Sequence, residues 1–118
     1  MDGRIPQTDW VDFFAGFSKT HEGDEAQLHI IGRAFGDQEE AAWMPLAGLS
    51  YDPHHHQLFI SVGGMSSRYP AHLTHMIDGP RQVHVRYNDE GEVSSLIIVA
   101  PDKTETRVRL RRLPQPVA

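Results

Sequence analysis

Histidine is the residue best placed to do chemistry in this chain. Eight occur in 118 residues: His21, His29, His54, His55, His56, His72, His75 and His84. Imidazole titrates near neutral pH and is the commonest metal ligand. A catalytic zinc uses three protein ligands and keeps one position open. The metal candidates are therefore His54 and His56, which fall in a predicted turn, and His72 and His75, which follow it. On a helical turn His72 and His75 share a face. On a strand they point to opposite faces and cannot chelate together. No His-Glu-x-x-His helix occurs, and the nearest carboxylates are Asp52 and Asp78. The turn histidines are read as solvated, and His75 as a hydrogen-bonded packing residue. The alternative is a centre for zinc or another divalent metal, serving metal binding or metal-assisted hydrolysis.

Arginine supplies the second constellation. Arg107, Arg109 and Arg111 recur with period two, so they share one face of a strand, and Arg112 adds a further charge. Arg86 and Gln82 lie outward on another strand suited to be a neighbour. A guanidinium fork binds a carboxylate bidentately. The row is thus either a solvated sheet face, tied in by acids such as Glu105, or a docking face for an acidic partner. One such partner is the acidic N-terminal half of a second copy. Residues 1–60 carry ten acids and three bases (−7), and residues 61–118 carry six acids and eight bases (+2), which sum to the net charge of −5.

Other chemistry finds little support. Ser66 and Ser67 follow Gly63-Gly64-Met65, but no glycine follows them to make a nucleophile elbow. Neither phosphate-binding glycine loop is present. The absence of cysteine excludes thiol catalysis, thiolate metal sites and disulfides. No catalytic residue and no cofactor is assigned. An acidic chain is a poor general nucleic-acid binder, because that affinity rests on phosphate neutralisation. It also suits an anionic membrane surface poorly. Met1 to Gln7 lack the basic head and apolar stretch of a signal peptide, and the longest apolar run, Leu96 to Ala100, is far short of a span. The expected compartment is the cytoplasm.

The elements that must position these residues are short. Trp10, Phe13, Phe14 and Phe17 recur at i, i+3, i+4 and i+7, predicting a helix over 8–21 with Thr8 as N-cap and Gly23 as its left-handed exit. From Ala26 onward the period is two. Leu28 and Ile30, then Met44 and Leu46, alternate with polar or outward residues, and Pro45 requires a bulge or an edge. Asp52-Pro53 opens a turn between Tyr51 and a strand carrying Leu58, Ile60 and Val62. Residues 65–72 are expected to be a loop, and His72 to Ile77 a short strand or one helical turn. Strands at Val83 to Tyr87, Val93 to Ala100 and Thr106 to Leu110 follow, with Leu96 to Val99 apolar on both faces, as in a strand covered on both sides. Pro114-Gln115-Pro116 closes the folded part.

Hairpin-type spacing leaves no room for crossover helices, so the sheet is expected to be antiparallel. The fold class is α+β and mainly antiparallel β. An N-terminal amphipathic helix packs on a bent six- or seven-stranded sheet or a small, partly open barrel. Residues 1–118 are expected to form one domain, with a core over about 8–113 and short tails.

Several words of the sequence are also recognisable together. They are Trp10 with Phe13-Phe14, Trp43-Met44-Pro45-Leu46 with Gly48, Tyr51-Asp52-Pro53, His75-Met76-Ile77 with Pro80, and Ser95-Leu96-Ile97. Over residues 8 to 112 the chain resembles the small bacterial proteins labelled 5335 among domains of unknown function. The resemblance implies a stand-alone bacterial domain and supplies no catalytic residues. The expected function is a non-enzymatic cytoplasmic domain acting by protein–protein contact, as a homo-oligomer. Metal binding and small-ligand carriage are the alternatives.

Overall fold

The computed structural model describes residues 2–32, 36–64 and 72–112. Ser66 and Ser67, the rest of the expected loop up to residue 71 and the Pro114-Gln115-Pro116 terminus lie outside the described residues. The described elements are β1 (Gly3–Ile5), a 3-10 turn (Gln7–Asp9), α1 (Trp10–His21), β2 (Glu25–Gly32), β3 (Gly36–Asp52), β4 (Gln57–Gly63), β5 (His72–Asp78), β6 (Gln82–Tyr87), β7 (Val93–Val99) and β8 (Glu105–Arg111). The strands form one antiparallel sheet in the order β1-β6-β7-β8-β2-β3-β4-β5. The α+β class and the helix-on-sheet arrangement are those expected. Among the described residues the sheet has eight strands, where six or seven were expected. The additional one is β1, which the sequence pattern consigns to a tail. Its three residues pair with β6, Gly3 with Val85, Arg4 with His84 and Ile5 with Val83, and the Trp10 indole N–H donates to the Ile5 carbonyl at 2.9 Å.

The helix forms where the aromatic stripe requires it, but it starts differently. The chain enters through the 3-10 turn, in which the Asp9 N–H donates to the Pro6 carbonyl at 2.9 Å. Asp9, and not Thr8, holds the cap position, without a side-chain cap bond. Trp10, Phe14 and Phe17 are buried, and His21 completes the stripe one turn later. The His21 ring lies 4.4 Å from that of Phe17, and its Nδ1 meets Asp24 Oδ2 at 2.9 Å. Gly23 makes the left-handed exit at φ +86°. Its N–H donates to the Leu46 carbonyl, and the Leu46 N–H donates to Asp24 in return, tying the helix end to β3. Further back, Ser18 Oγ both donates to the Leu49 carbonyl and accepts from the Leu49 N–H, each at 2.8 Å. A Cβ at Gly48 would stand 3.3 Å from that oxygen, so glycine permits this approach.

Chain connectivity forces the sheet to curl. Only residues 79–81 link β5 to β6, yet the two strands stand six places apart in the sheet. In a flat sheet they would lie about 29 Å apart at about 4.8 Å per strand. Four virtual bonds reach at most about 15 Å. The sheet therefore rolls into a half-barrel, open between its edges β1 and β5. Across the hollow, His75 Nε2 of β5 comes within 3.5 Å of Thr106 Oγ1 of β8. The α1 stripe packs with Leu28, Leu46, Ile60, Val62, Val83, Val85, Leu96, Ile98 and Val108 in one core cluster. β3 is the strand that bends. It pairs with β2 up to Pro45 and with β4 from Leu46, with a register shift between Leu46 and Gly48. Pro45, lacking an N–H, sits at this hand-over, which meets the expectation of a bulge.

β7 departs from the sequence expectation. Leu96 and Ile98 are buried, but Ile97 and Val99 are only half-buried on the outer face. No second layer of described residues covers them. Side chains from β6 and β8 flank them instead.

Candidate functional site

The outer face of the half-barrel gathers the arginines. Register aligns side chains into rows across the strands. One row runs Arg4, His84, Ile97, Arg107, His29 and Glu39, from β1 through β6, β7, β8 and β2 to β3. The next runs Arg86, Ser95, Arg109 and Gln27. Small Ser95 thus lies between two long side chains, Arg86 and Arg109, about 10 Å apart at two strand spacings. The result is a groove of about 420 Å³ with Ser95 and Ile97 in its lining, flanked by Arg86, Arg107 and Arg109 and bordered by Trp43.

Ion pairing divides the arginine row. Arg111 Nε meets Glu25 Oε1 of the neighbouring strand at 2.8 Å, and its guanidinium sits 4.1 Å over the Trp43 ring. Arg107 meets Glu105 on its own strand at 3.3 Å. Arg112 meets Glu92 at 2.9 Å. Among the described residues Arg86 and Arg109 make no ion pair, and both are exposed. Arg107 and Arg111 are therefore occupied by the sheet itself, and the cations of the groove left without an ion pair among the described residues are Arg109 and Arg86. The groove can supply two guanidinium forks and the Ser95 hydroxyl, all donors, to a carboxylate or another oxyanion. Period-two spacing exposed the β8 row. Trp43 and Ser95 were missed, because only register places them beside it.

The histidines are not brought together. Asp52 nucleates the turn after β3, its Oδ1 accepting from the N–H groups of His54 and His55. The His55 ring bonds to Asp52 Oδ2 at 2.7 Å. That bond, with the backbone N–H groups adding to it, holds the Asp52 carboxyl below its ordinary pKa. His56 corrects the expectation of a fully solvated turn. It sits at φ +51°, half-buried, with Nδ1 2.6 Å from the Tyr51 hydroxyl and its ring parallel to that of Trp10. His72 and His75 lie on a strand, so they point to opposite faces. His72 bonds to Thr74 outside, and His75 reaches Thr106 inside. His29 stands between Asp37, at 2.6 Å, and Glu39, at 3.5 Å, on the outer face. Among the described residues no three His, Asp or Glu side chains are grouped closely enough to hold a metal ion. Nor is any helix there long and apolar enough to cross a membrane.

Fold and groove together define a small α+β protein whose half-open antiparallel sheet carries an arginine-flanked groove on its outer face. The chain belongs to the Family of unknown function (DUF5335), whose model matches residues 1–116. It is similar to an "Uncharacterized protein" of Aquifex aeolicus (strain VF5), at 33% identity over 110 residues, covering 93% of this chain and 90% of that one. No solved structure matches it.

Proposed function

We propose that the protein is a non-enzymatic bacterial, cytoplasmic binding domain that docks an acidic protein segment in the groove between Arg86 and Arg109. One observation carries this reading: two exposed arginines flank a serine across three adjacent strands, and neither has a carboxylate partner among the described residues. On the same face of β8, Arg107 and Arg111 each have one. Net charge supports a protein partner over nucleic acid, since the chain as a whole is acidic at −5. The relative in Aquifex aeolicus supports the bacterial setting.

Binding of a fluorescent oligoglutamate peptide tests it. Affinity should fall steeply as sodium chloride screens the contact, with a screening length of about 8 Å at physiological ionic strength. The double reversal R86E/R109E should abolish binding, while Arg81→Glu, on the loop before β6, should leave it intact. No binding at low salt, or binding that ignores the double reversal, refutes the proposal.

A further inference from the structure

The two edges of the sheet are built differently. β1 is three residues long, Gly3 to Ile5, and gives way at once to Pro6. β5 is seven residues long and pairs with β4 from Gln57–Asp78 to Gly63–His72 without a register shift. Natural edges are blunted by proline, lysine, bulges or brevity, because an unpaired row of N–H and C=O groups templates another strand. β5, His-Leu-Thr-His-Met-Ile-Asp, has none of these protections. Among the described elements only β4 packs extensively along it.

Its sequence is also complementary to itself. Antiparallel pairing of two β5 strands about His75 sets each residue against one on the same face. Leu73 meets Ile77 of the second copy on the core side. His72 meets Asp78, and Thr74 meets Met76, on the outer side. The burial pattern agrees with these faces: Leu73, His75 and Ile77 are wholly or partly buried, and His72, Thr74, Met76 and Asp78 are exposed. Met76, at 45% exposure, is among the few large apolar side chains left open. Sliding the register by one residue in either copy sets core-side residues against outer ones. Sliding it by two shortens the ladder and loses the match of imidazole with carboxylate.

We propose that β5 is a homodimerisation edge, pairing with β5 of a second copy antiparallel about His75 and joining two half-barrels into one continuous sheet. Main-chain hydrogen bonds supply the affinity, and the Leu73–Ile77 and His72–Asp78 pairs set the register. The inference is independent of the arginine groove, which lies on other strands.

Charge exchange at positions 74 and 76 reads both the dimer and its register. In sedimentation, wild type should dimerise. T74K/M76K sets lysine against lysine twice across the axis, and T74E/M76K sets glutamate against lysine twice. The dissociation constant of the first should exceed that of the second about tenfold or more, with matching far-ultraviolet circular dichroism. The absence of native cysteine permits a second test. Opposed Cα atoms in an antiparallel pair lie about 4.5–5.5 Å apart, within disulfide range. His75→Cys should therefore oxidise to a covalent dimer, and His72→Cys, far from its own copy in this register, should not. A wild type that sediments as a monomer at micromolar concentration overturns the proposal. So does a dimer indifferent to the charge exchange, or a His72→Cys variant that cross-links as readily as His75→Cys.

Discussion

His56 carries the sharpest stability prediction, because a surface-turn reading and a packing reading of the same residue differ by a measurable amount. Asparagine tolerates the left-handed backbone, so His56→Asn removes the ring without straining φ +51°. The ring makes a 2.6 Å hydrogen bond to the Tyr51 hydroxyl and lies parallel to Trp10, with centroids 6.2 Å apart. Tyr51 is itself buried, edge-on to Trp10 at 5.0 Å. The hydrogen bond is worth about 1 kcal/mol net, and the aromatic contact about 0.5–1 kcal/mol. The variant should lose about 1.5–2 kcal/mol in urea melts at neutral pH. His54, whose one hydrogen bond among the described residues runs from its backbone N–H to Asp52, provides the control: His54→Asn should stay within about 0.5 kcal/mol. A double-mutant cycle with Tyr51→Phe should return a coupling of about 1 kcal/mol. A loss at His56 no larger than at His54, or strict additivity with Tyr51→Phe, would refute the claim that this ring anchors the hairpin to the helix.

Phe14 has no exposed surface in the core stripe of α1; Phe14→Ala should cost about 3–5 kcal/mol in the same melts, and a loss under about 1 kcal/mol would show the helix face is not packed as described. Gly48→Ala brings a methyl to 3.3 Å from Ser18 Oγ, which two hydrogen bonds to Leu49 hold in place. It should destabilise by about 1 kcal/mol, and combining it with Ser18→Ala should relieve part of that loss. Carboxyl-carbon NMR should find Asp52 titrating below the ordinary aspartate value, with His55→Ala moving it back up. Because the folded value is the depressed one, any stability this pair contributes is present at neutral pH and is lost as the pH falls through the folded value. A wild-type Asp52 that titrates normally would remove the bond from the solution structure.

Much of the local structure was legible in the residue order. The helix could be read because its stripe, Trp10, Phe13, Phe14 and Phe17, repeats within a single turn-to-turn period. Gly23 and Asp52-Pro53 announced turns through their own backbone preferences. Alternation on β4 and β8 marked buried Leu58, Ile60 and Val62, and outward Arg107 and Arg109. All of these are properties of residues within a few positions of one another, so neighbouring side chains and backbone torsions suffice to encode them.

What the order of residues could not decide is which strands lie side by side. β8 pairs with β2, some eighty residues earlier in the chain, and β1 pairs with β6, some eighty residues later. A three-residue segment carries no periodicity of its own to reveal it. Curling of the sheet followed from a three-residue link between distant strands, visible only once the strand order was known. The groove depends on the same information. Ser95 is an ordinary strand residue until register sets Arg86 on one side of it and Arg109 on the other. Trp43 is an outward aromatic until Arg111 stacks on it. His56 seemed a solvated turn residue because sequence proximity groups it with His54 and His55, whereas the left-handed turn aims its ring at Trp10, forty-six positions earlier. Period and turn chemistry are written in neighbours along the chain. Register, curvature and the pairing of charges are set by contacts between segments far apart in it, and those only the folded sheet determines.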